Sequence, residues 1–126
     1  MIVGVGIDIV DTSRVQALIE RHGERFEKRV FTPSEISYCR GKKHPFPHYS
    51  ARFAAKEAAV KALGTGFSQG IRLTDISIEN DGDAPRILLR NRAQEIADEL
   101  GISRFHVSLS HERSAAVALV VLEAAG

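Results

Sequence analysis

The sequence predicts an α+β fold in which a mostly antiparallel sheet packs around one central, buried helix. Three observations carry that expectation. Residues 50–63 are rich in alanine and leucine, contain no glycine or proline, and are apolar nearly all round, as suits a helix without a solvent face. Residues 105–110 alternate apolar and polar, and residues 115–122 are apolar on both faces, which describes a half-buried strand beside a central one. The chain has 126 residues, 44 % hydrophobic and 26 % charged. That suits a single domain, 1–126, burying roughly two-thirds of its unfolded surface.

The elements follow in order. Residues 2–10 alternate β-branched residues with glycine and read as a strand. Val3, Val5, Ile7 and Ile9 share one face; Gly4, Gly6 and Asp8 share the other. The two glycines leave that second face bare, so something bulky can approach the backbone beside Asp8. Asp11, Thr12 and Ser13 offer N-caps for a helix reaching about His22, which Gly23 ends. A short helical stretch covers 24–30. Thr32, Pro33 and Glu35 make a capping box with proline in the first turn, opening a helix to about Arg40. Residues 41–48, with two prolines, two lysines and two histidines, read as a loop before the central helix. Gly64-Thr65-Gly66 ends that helix. Residues 75–79 and 86–90 read as a hairpin around an Asp-Gly turn, and 91–100 as an amphipathic helix capped by Asn91 and stopped by Gly101.

Charge and composition exclude several classes. No apolar run is long enough to cross a bilayer as a helix, so no membrane association is expected. The N-terminus lacks a basic region and carries Asp8 within its apolar run, so neither a signal nor a transit peptide is expected. A single cysteine, Cys39, leaves no internal disulfide and no multi-cysteine zinc site. The expected location is cytoplasmic. The net charge of +1 hides a basic flank: between residues 14 and 44, eight Lys/Arg face four Glu. Such a flank can attract an acidic partner. Without a basic stripe interleaved with aromatics, nucleic acid is not expected to bind.

Two carboxylates stand where a core would not choose them. Asp8 and Glu57 each ride on an element built for burial, and a buried ionised carboxylate costs several kcal/mol unless a cation or hydrogen bonds offset it. Lys61, four residues after Glu57, is one such cation; a divalent metal shared by Asp8 and Glu57 is another. The plainer alternative is that Asp8 caps the next helix and Glu57 simply pairs with Lys61. Gly64 and Gly66 could offer backbone N–H groups to an anion, although a Gly-x-Gly after a helix more often serves as a C-cap. Lys43, Arg52, Lys56 and Lys61 cluster around the same helix and could neutralise a polyphosphate.

Four blocks appear in one order: Gly6-Ile7-Asp8-Ile9-Val10; Arg29-Val30-Phe31-Thr32 with Glu35; the fifteen residues from Arg52 to Gly66; and His106-Val107-Ser108-Leu109-Ser110-His111. With them the chain resembles, over essentially its whole length, the holo-(acyl-carrier-protein) synthases, the small bacterial type of 4′-phosphopantetheinyl transferase. The resemblance implies transfer of the 4′-phosphopantetheine arm of coenzyme A to a serine of apo-acyl carrier protein, with release of adenosine 3′,5′-bisphosphate. It implies Mg²⁺ held by Asp8 and Glu57, with Lys61 offsetting charge on the phosphates. Glu57, directly or through a metal-bound water, would take the serine proton. Lys43 and Arg52 are the candidates for the coenzyme's phosphates, and Gly64 and Gly66 would let it approach closely.

The resemblance further implies a homotrimer with shared sites, in which Pro85, His106 and Ser108 reach the coenzyme from the adjacent chain. The basic flank, through Arg14, Arg21, Arg25 and Arg29, would dock the acidic carrier. The alternative is a non-catalytic module that binds coenzyme A or a nucleotide and docks an acidic protein. Two buried carboxylates argue against it, because a pure phosphate binder needs cations.

Overall fold

The computed structural model describes residues 1–82 and 84–126. Asp83 lies outside the described residues. Strand β1 covers Ile2–Asp11, and helices α1 (Thr12–His22), α2 (Glu24–Val30), α3 (Pro33–Arg40) and α4 (Pro45–Leu63) follow. A 3-10 turn at Leu73–Asp75 leads into β2 (Ile76–Asp81) and β3 (Ala84–Leu89); α5 (Asn91–Glu99), β4 (Ile102–His111) and β5 (Ala115–Ala124) complete the chain. The strands form a three-stranded antiparallel sheet, ordered β1-β5-β4, and the separate antiparallel hairpin β2-β3. As expected for a strand apolar on both faces, β5 is the central one.

Helix α4 is the axis of the fold. It packs on β1, β5, β4 and β2. Nearly all of its residues from Tyr49 to Leu63 are buried, with Glu57 half-buried and Lys61 exposed. The glycine face of β1 makes this packing possible. A Cβ on Gly4 would lie 1.9 Å from the Ala62 carbonyl oxygen, and one on Gly6 1.9 Å from that of Ala58. Backbone oxygens cannot swing aside, so only glycine admits so close an approach. The bulky neighbour expected beside Asp8 is therefore α4 itself. The opposite face of β1 stays uncovered within the chain: Val5, Ile7 and Ile9 are 57 %, 61 % and 68 % exposed.

Three local expectations are corrected. Residues 41–48 are not all loop, because α4 begins at Pro45. The prolines at 45 and 47 sit in the first turn, where backbone N–H groups have no helical acceptor to lose. Asn91 does not cap α5. Arg90 holds the cap position, and the Asn91 side chain donates to Asp75 Oδ1 at 3.1 Å. Asp11 occupies the N-cap of α1 but makes no side-chain cap bond. The Thr32–Glu35 capping box of α3 forms as expected.

Candidate active site

The close contact of β1 with α4 decides what surrounds Asp8. Positions 4, 6 and 8 share one face of the strand, so the side chain of Asp8 follows the two glycines onto α4. There Lys61 Nζ donates to Asp8 Oδ1 at 2.7 Å and to the Ile7 carbonyl oxygen at 3.1 Å. The Lys61 side chain is 54 % exposed and that of Asp8 only 10 %. The aspartate is thus the inner member of the pair, and it raises the Lys61 pKa above the usual lysine range. Lys61 pairs across the strand–helix contact rather than with Glu57 one turn back. Local spacing predicted the wrong carboxylate.

Asp8 remains short of partners. Its Oδ2 is buried and accepts no hydrogen bond. Glu57 lies beside it, and burial first, then Asp8, pushes the Glu57 carboxyl up to about 7. Arg14 and Lys61 pull in the opposite direction without cancelling this. Two acidic groups sharing one half-buried site, one with an orphaned oxygen, lack positive charge. The donor set is all oxygen and would suit a hard divalent cation such as Mg²⁺, which binds through one or two carboxylates. Among the described residues no cluster of three His, Cys, Asp or Glu offers a fuller metal cage.

The other predicted residues spread over three places. Arg52 is 3 % exposed; its Nη2 donates to Asn80 Oδ1 at 2.6 Å, and its guanidinium carbon lies 4.0 Å from the Tyr38 ring centroid. Its Nε is buried with no partner. Arg52 lines a cleft of about 250 Å³ with Tyr38, His48, Asn80, Pro85, Ser108 and His111. Pro85 and Ser108 therefore stand beside Arg52 within one chain. His106 does not line this cleft. It is exposed on the outward side of β4, with Nε2 2.5 Å from Glu123 Oε1. Lys43 is exposed in the turn before α4.

Gly64, the left-handed C-cap of α4 (φ 81°), and Gly66 (φ 58°) have open space where a side chain would lie. Their N–H groups donate to the Lys61 and Val60 carbonyls of α4. They serve as a cap, and what they leave to a ligand is room. Arg14, Arg21, Arg25 and Arg29 are all exposed on α1 and α2, and none forms an ion pair among the described residues. Arg14 lies 5.7 Å from the Phe53 ring centroid, on the Glu57 side of α4.

Lys56 has no charge to spare for a polyphosphate. It is fully buried, 2.7 Å from Glu35 Oε1, and donates to the Leu73 and Ile76 carbonyls. Cys39 is buried, and burial pushes its thiol up to about 12, so it is no nucleophile. Tyr38, His48, Asn80 and His111 escaped the sequence reading; they are polar or aromatic residues on four separate elements, and no spacing signal unites them.

This fold belongs to a known class. The profile of the 4′-phosphopantetheinyl transferase superfamily matches residues 4–120, and the chain belongs to that superfamily. It is 47 % identical over 124 residues to the holo-(acyl-carrier-protein) synthase of Geotalea daltonii, covering 98 % of this chain and 99 % of that one. The crystal structure of the holo-(acyl-carrier-protein) synthase from Neisseria meningitidis is similar with a TM-score of 0.89 and 35 % identity, covering 98 % of this chain and 99 % of that one. The Helicobacter pylori synthase, solved in complex with coenzyme A, is similar with a TM-score of 0.83 and 34 % identity, covering 94 % and 99 %. Among the described residues no helix is long and apolar enough to cross a membrane.

Proposed function

We propose that residues 1–126 act as one transferase unit that moves the 4′-phosphopantetheine arm of coenzyme A onto a serine of apo-acyl carrier protein. The serine oxygen bonds to the phosphorus bearing the pantetheine arm, the bond from that phosphorus to the bridging oxygen breaks, and adenosine 3′,5′-bisphosphate leaves. The observation that carries this reading is the Asp8–Glu57 pair with its orphaned Asp8 Oδ2, set beside Lys61. Asp8 and Glu57 would hold Mg²⁺, which when bound offsets charge on the coenzyme's pyrophosphate. Lys61, fixed by Asp8 and the Ile7 carbonyl, presents an ammonium where charge develops on the leaving phosphate. Glu57, once ionised, takes the serine proton. Arg52 and Lys43 bind the coenzyme's phosphates, and the open space over Gly64 and Gly66 admits the ligand.

The exposed arginines of α1 and α2 dock the acidic carrier. Arg14 lies near Glu57 and so links the docking surface to the acid pair. The uncovered apolar row of β1 supports a homotrimer in which chains share sites. In that assembly an inactive Glu57→Ala chain and an inactive His106→Ala chain, refolded together, partly restore activity. No rescue from confirmed mixtures means that each chain holds a complete site. The reaction itself is tested by mass spectrometry of apo-carrier protein incubated with coenzyme A, Mg²⁺ and this protein. The carrier gains the mass of one phosphopantetheine arm; an unchanged carrier despite bound coenzyme would favour a non-catalytic binding module.

A further inference from the structure

The outer face of the three-stranded sheet is apolar over two strands and polar over the third. Val5, Ile7 and Ile9 of β1 lie opposite Val121, Leu119 and Val117 of β5, on the side away from α4. β4 borders this apolar face with His106, Ser108 and Ser110. Glu123 breaks the pattern: it is the one charged residue of β5, at the end of an outward row that is otherwise apolar. His106 pairs with Val121 in the register, so Glu123, two positions on, is its diagonal neighbour on the same face. His106 Nε2 donates to Glu123 Oε1 across 2.5 Å. That bond first, against the opposing effect of burial, holds the Glu123 carboxyl below its usual range; the His106 charge, the Met1 ammonium and Arg104 add to it. The acceptor is therefore an ionised carboxylate. Among the described residues the ring makes no other hydrogen bond, so Nδ1 is unengaged. A surface pair of this kind adds little to stability, which gives the fold no strong reason to place its one β5 charge here.

We propose that Glu123 is a positioning residue for the transfer reaction: it grips His106 of its own chain at Nε2 and so turns Nδ1 toward the coenzyme bound at the acid pair of the adjacent chain. This rests on the shared-site reading above, in which His106 serves a neighbouring site. The carboxylate fixes both the rotation and the protonation pattern of the ring. A neutral imidazole bonded to a carboxylate keeps its proton on Nε2 and presents Nδ1 as an acceptor; a protonated one is stabilised by the adjacent negative charge and presents Nδ1–H as a donor. In either state the ring is ordered before the coenzyme arrives, so less ordering is left to be done on binding. The logic is that of an outer partner orienting a functional imidazole through its second nitrogen. Glu123 itself touches neither coenzyme nor carrier. Its place in the fold suits the role. When a second copy covers the apolar face, the His106 row lies at the border of that contact, where interfaces are polar and accessible.

The test is a double-mutant cycle on the whole protein, read in steady-state transfer with coenzyme A and carrier varied separately. Glu123→Ala should lower kcat/KM for coenzyme A by about tenfold or more, the scale of one lost charge-assisted hydrogen bond, and leave KM for carrier unchanged. Glu123→Gln, which keeps an oxygen to accept from Nε2, should recover most of the loss. In a His106→Ala background Glu123→Ala should have no further effect. Refolded with Glu57→Ala, the Glu123→Ala chain should regain activity; refolded with His106→Ala it should regain none, because both lesions fall on the same side of every site. Wild-type coenzyme kinetics in Glu123→Ala, additive losses in the double variant, or recovery in the mixture with His106→Ala overturns the proposal while His106 keeps its place in the shared site. Full activity of His106→Ala overturns the shared-site reading, and the proposal with it.

Discussion

Helix α4 carries two lysine–carboxylate pairs within two turns, and they are built in opposite ways. Lys56 and Glu35 are both fully buried, and every charge has an answer. Glu35 accepts from Lys56 Nζ, from the Thr32 N–H at 2.8 Å and from the Ile78 N–H at 2.9 Å, while Lys56 also donates to two carbonyls. Lys61 and Asp8 sit at the surface end, where one aspartate oxygen is bonded and the other is bare. Glu57 adds a second acid at that end, and Arg14 nearby does not offset it enough to bring its carboxyl back to its ordinary range. A saturated pair stitches α4 to α3 and β2; an unsaturated set waits for a ligand. Burial alone does not separate structure from function here. The count of unanswered charges does.

The largest expected effect comes from emptying the unsaturated set. Glu57→Ala and Asp8→Ala should each lower kcat by about 10²-fold or more, the lower range for losing a positioned base, without unfolding the protein. Steady-state transfer assays beside far-UV circular dichroism check this. Near-normal turnover in either variant, or full activity in excess EDTA, would break the contrast. The saturated pair should behave oppositely. Lys56→Met leaves Glu35 charged in the core and should cost about 3–5 kcal/mol, measured by urea or thermal unfolding. Pairing it with Glu35→Leu should recover only part of that loss, since the Thr32 and Ile78 N–H groups then lack their acceptor.

The smallest expected effect lies on the docking face. Reversing Arg14 or Arg21 should raise KM for carrier protein several-fold, because an exposed pair is worth about 0.2–1 kcal/mol. KM for coenzyme A should hardly change. The effect should fade with added salt, since the Debye length is about 10 Å at 0.1 M. Carrier kinetics equal to wild type at low ionic strength would mean that these arginines serve only solubility.

Much of this contrast could be read before the fold was known. Asp8 and Glu57 stood out because each interrupts an apolar element, and Gly4 and Gly6 announced a close approach beside Asp8. The partners could not be read. Glu35 looked like half of a capping box, which it is, but its bond to Lys56 spans 21 positions and depends on how α3 meets α4. Lys61 looked like Glu57's partner at helical spacing until β1 placed Asp8 nearer. The start of α4 was lost for a related reason: Pro45 and Pro47 are loop signals in isolation and first-turn residues in context. Patterns within one element survived folding, whereas contacts between elements had to be seen.

The central claim is that the Asp8–Glu57 site is short of positive charge until a divalent cation fills it. Glu57 is raised on folding from its ordinary 4.5 to about 7. A carboxyl raised in this way favours the folded state at low pH; that contribution is complete below about pH 4.5 and is lost as pH rises through about 7. The direct measurement is the Tm of metal-free protein across that range, for wild type and Glu57→Gln, repeated with Mg²⁺ at about pH 8, where Glu57 is ionised. Wild type should lose stability with rising pH relative to the glutamine variant, and Mg²⁺ should restore it in wild type alone. Parallel pH profiles for the two proteins, with no Mg²⁺ shift in wild type, would contradict the account.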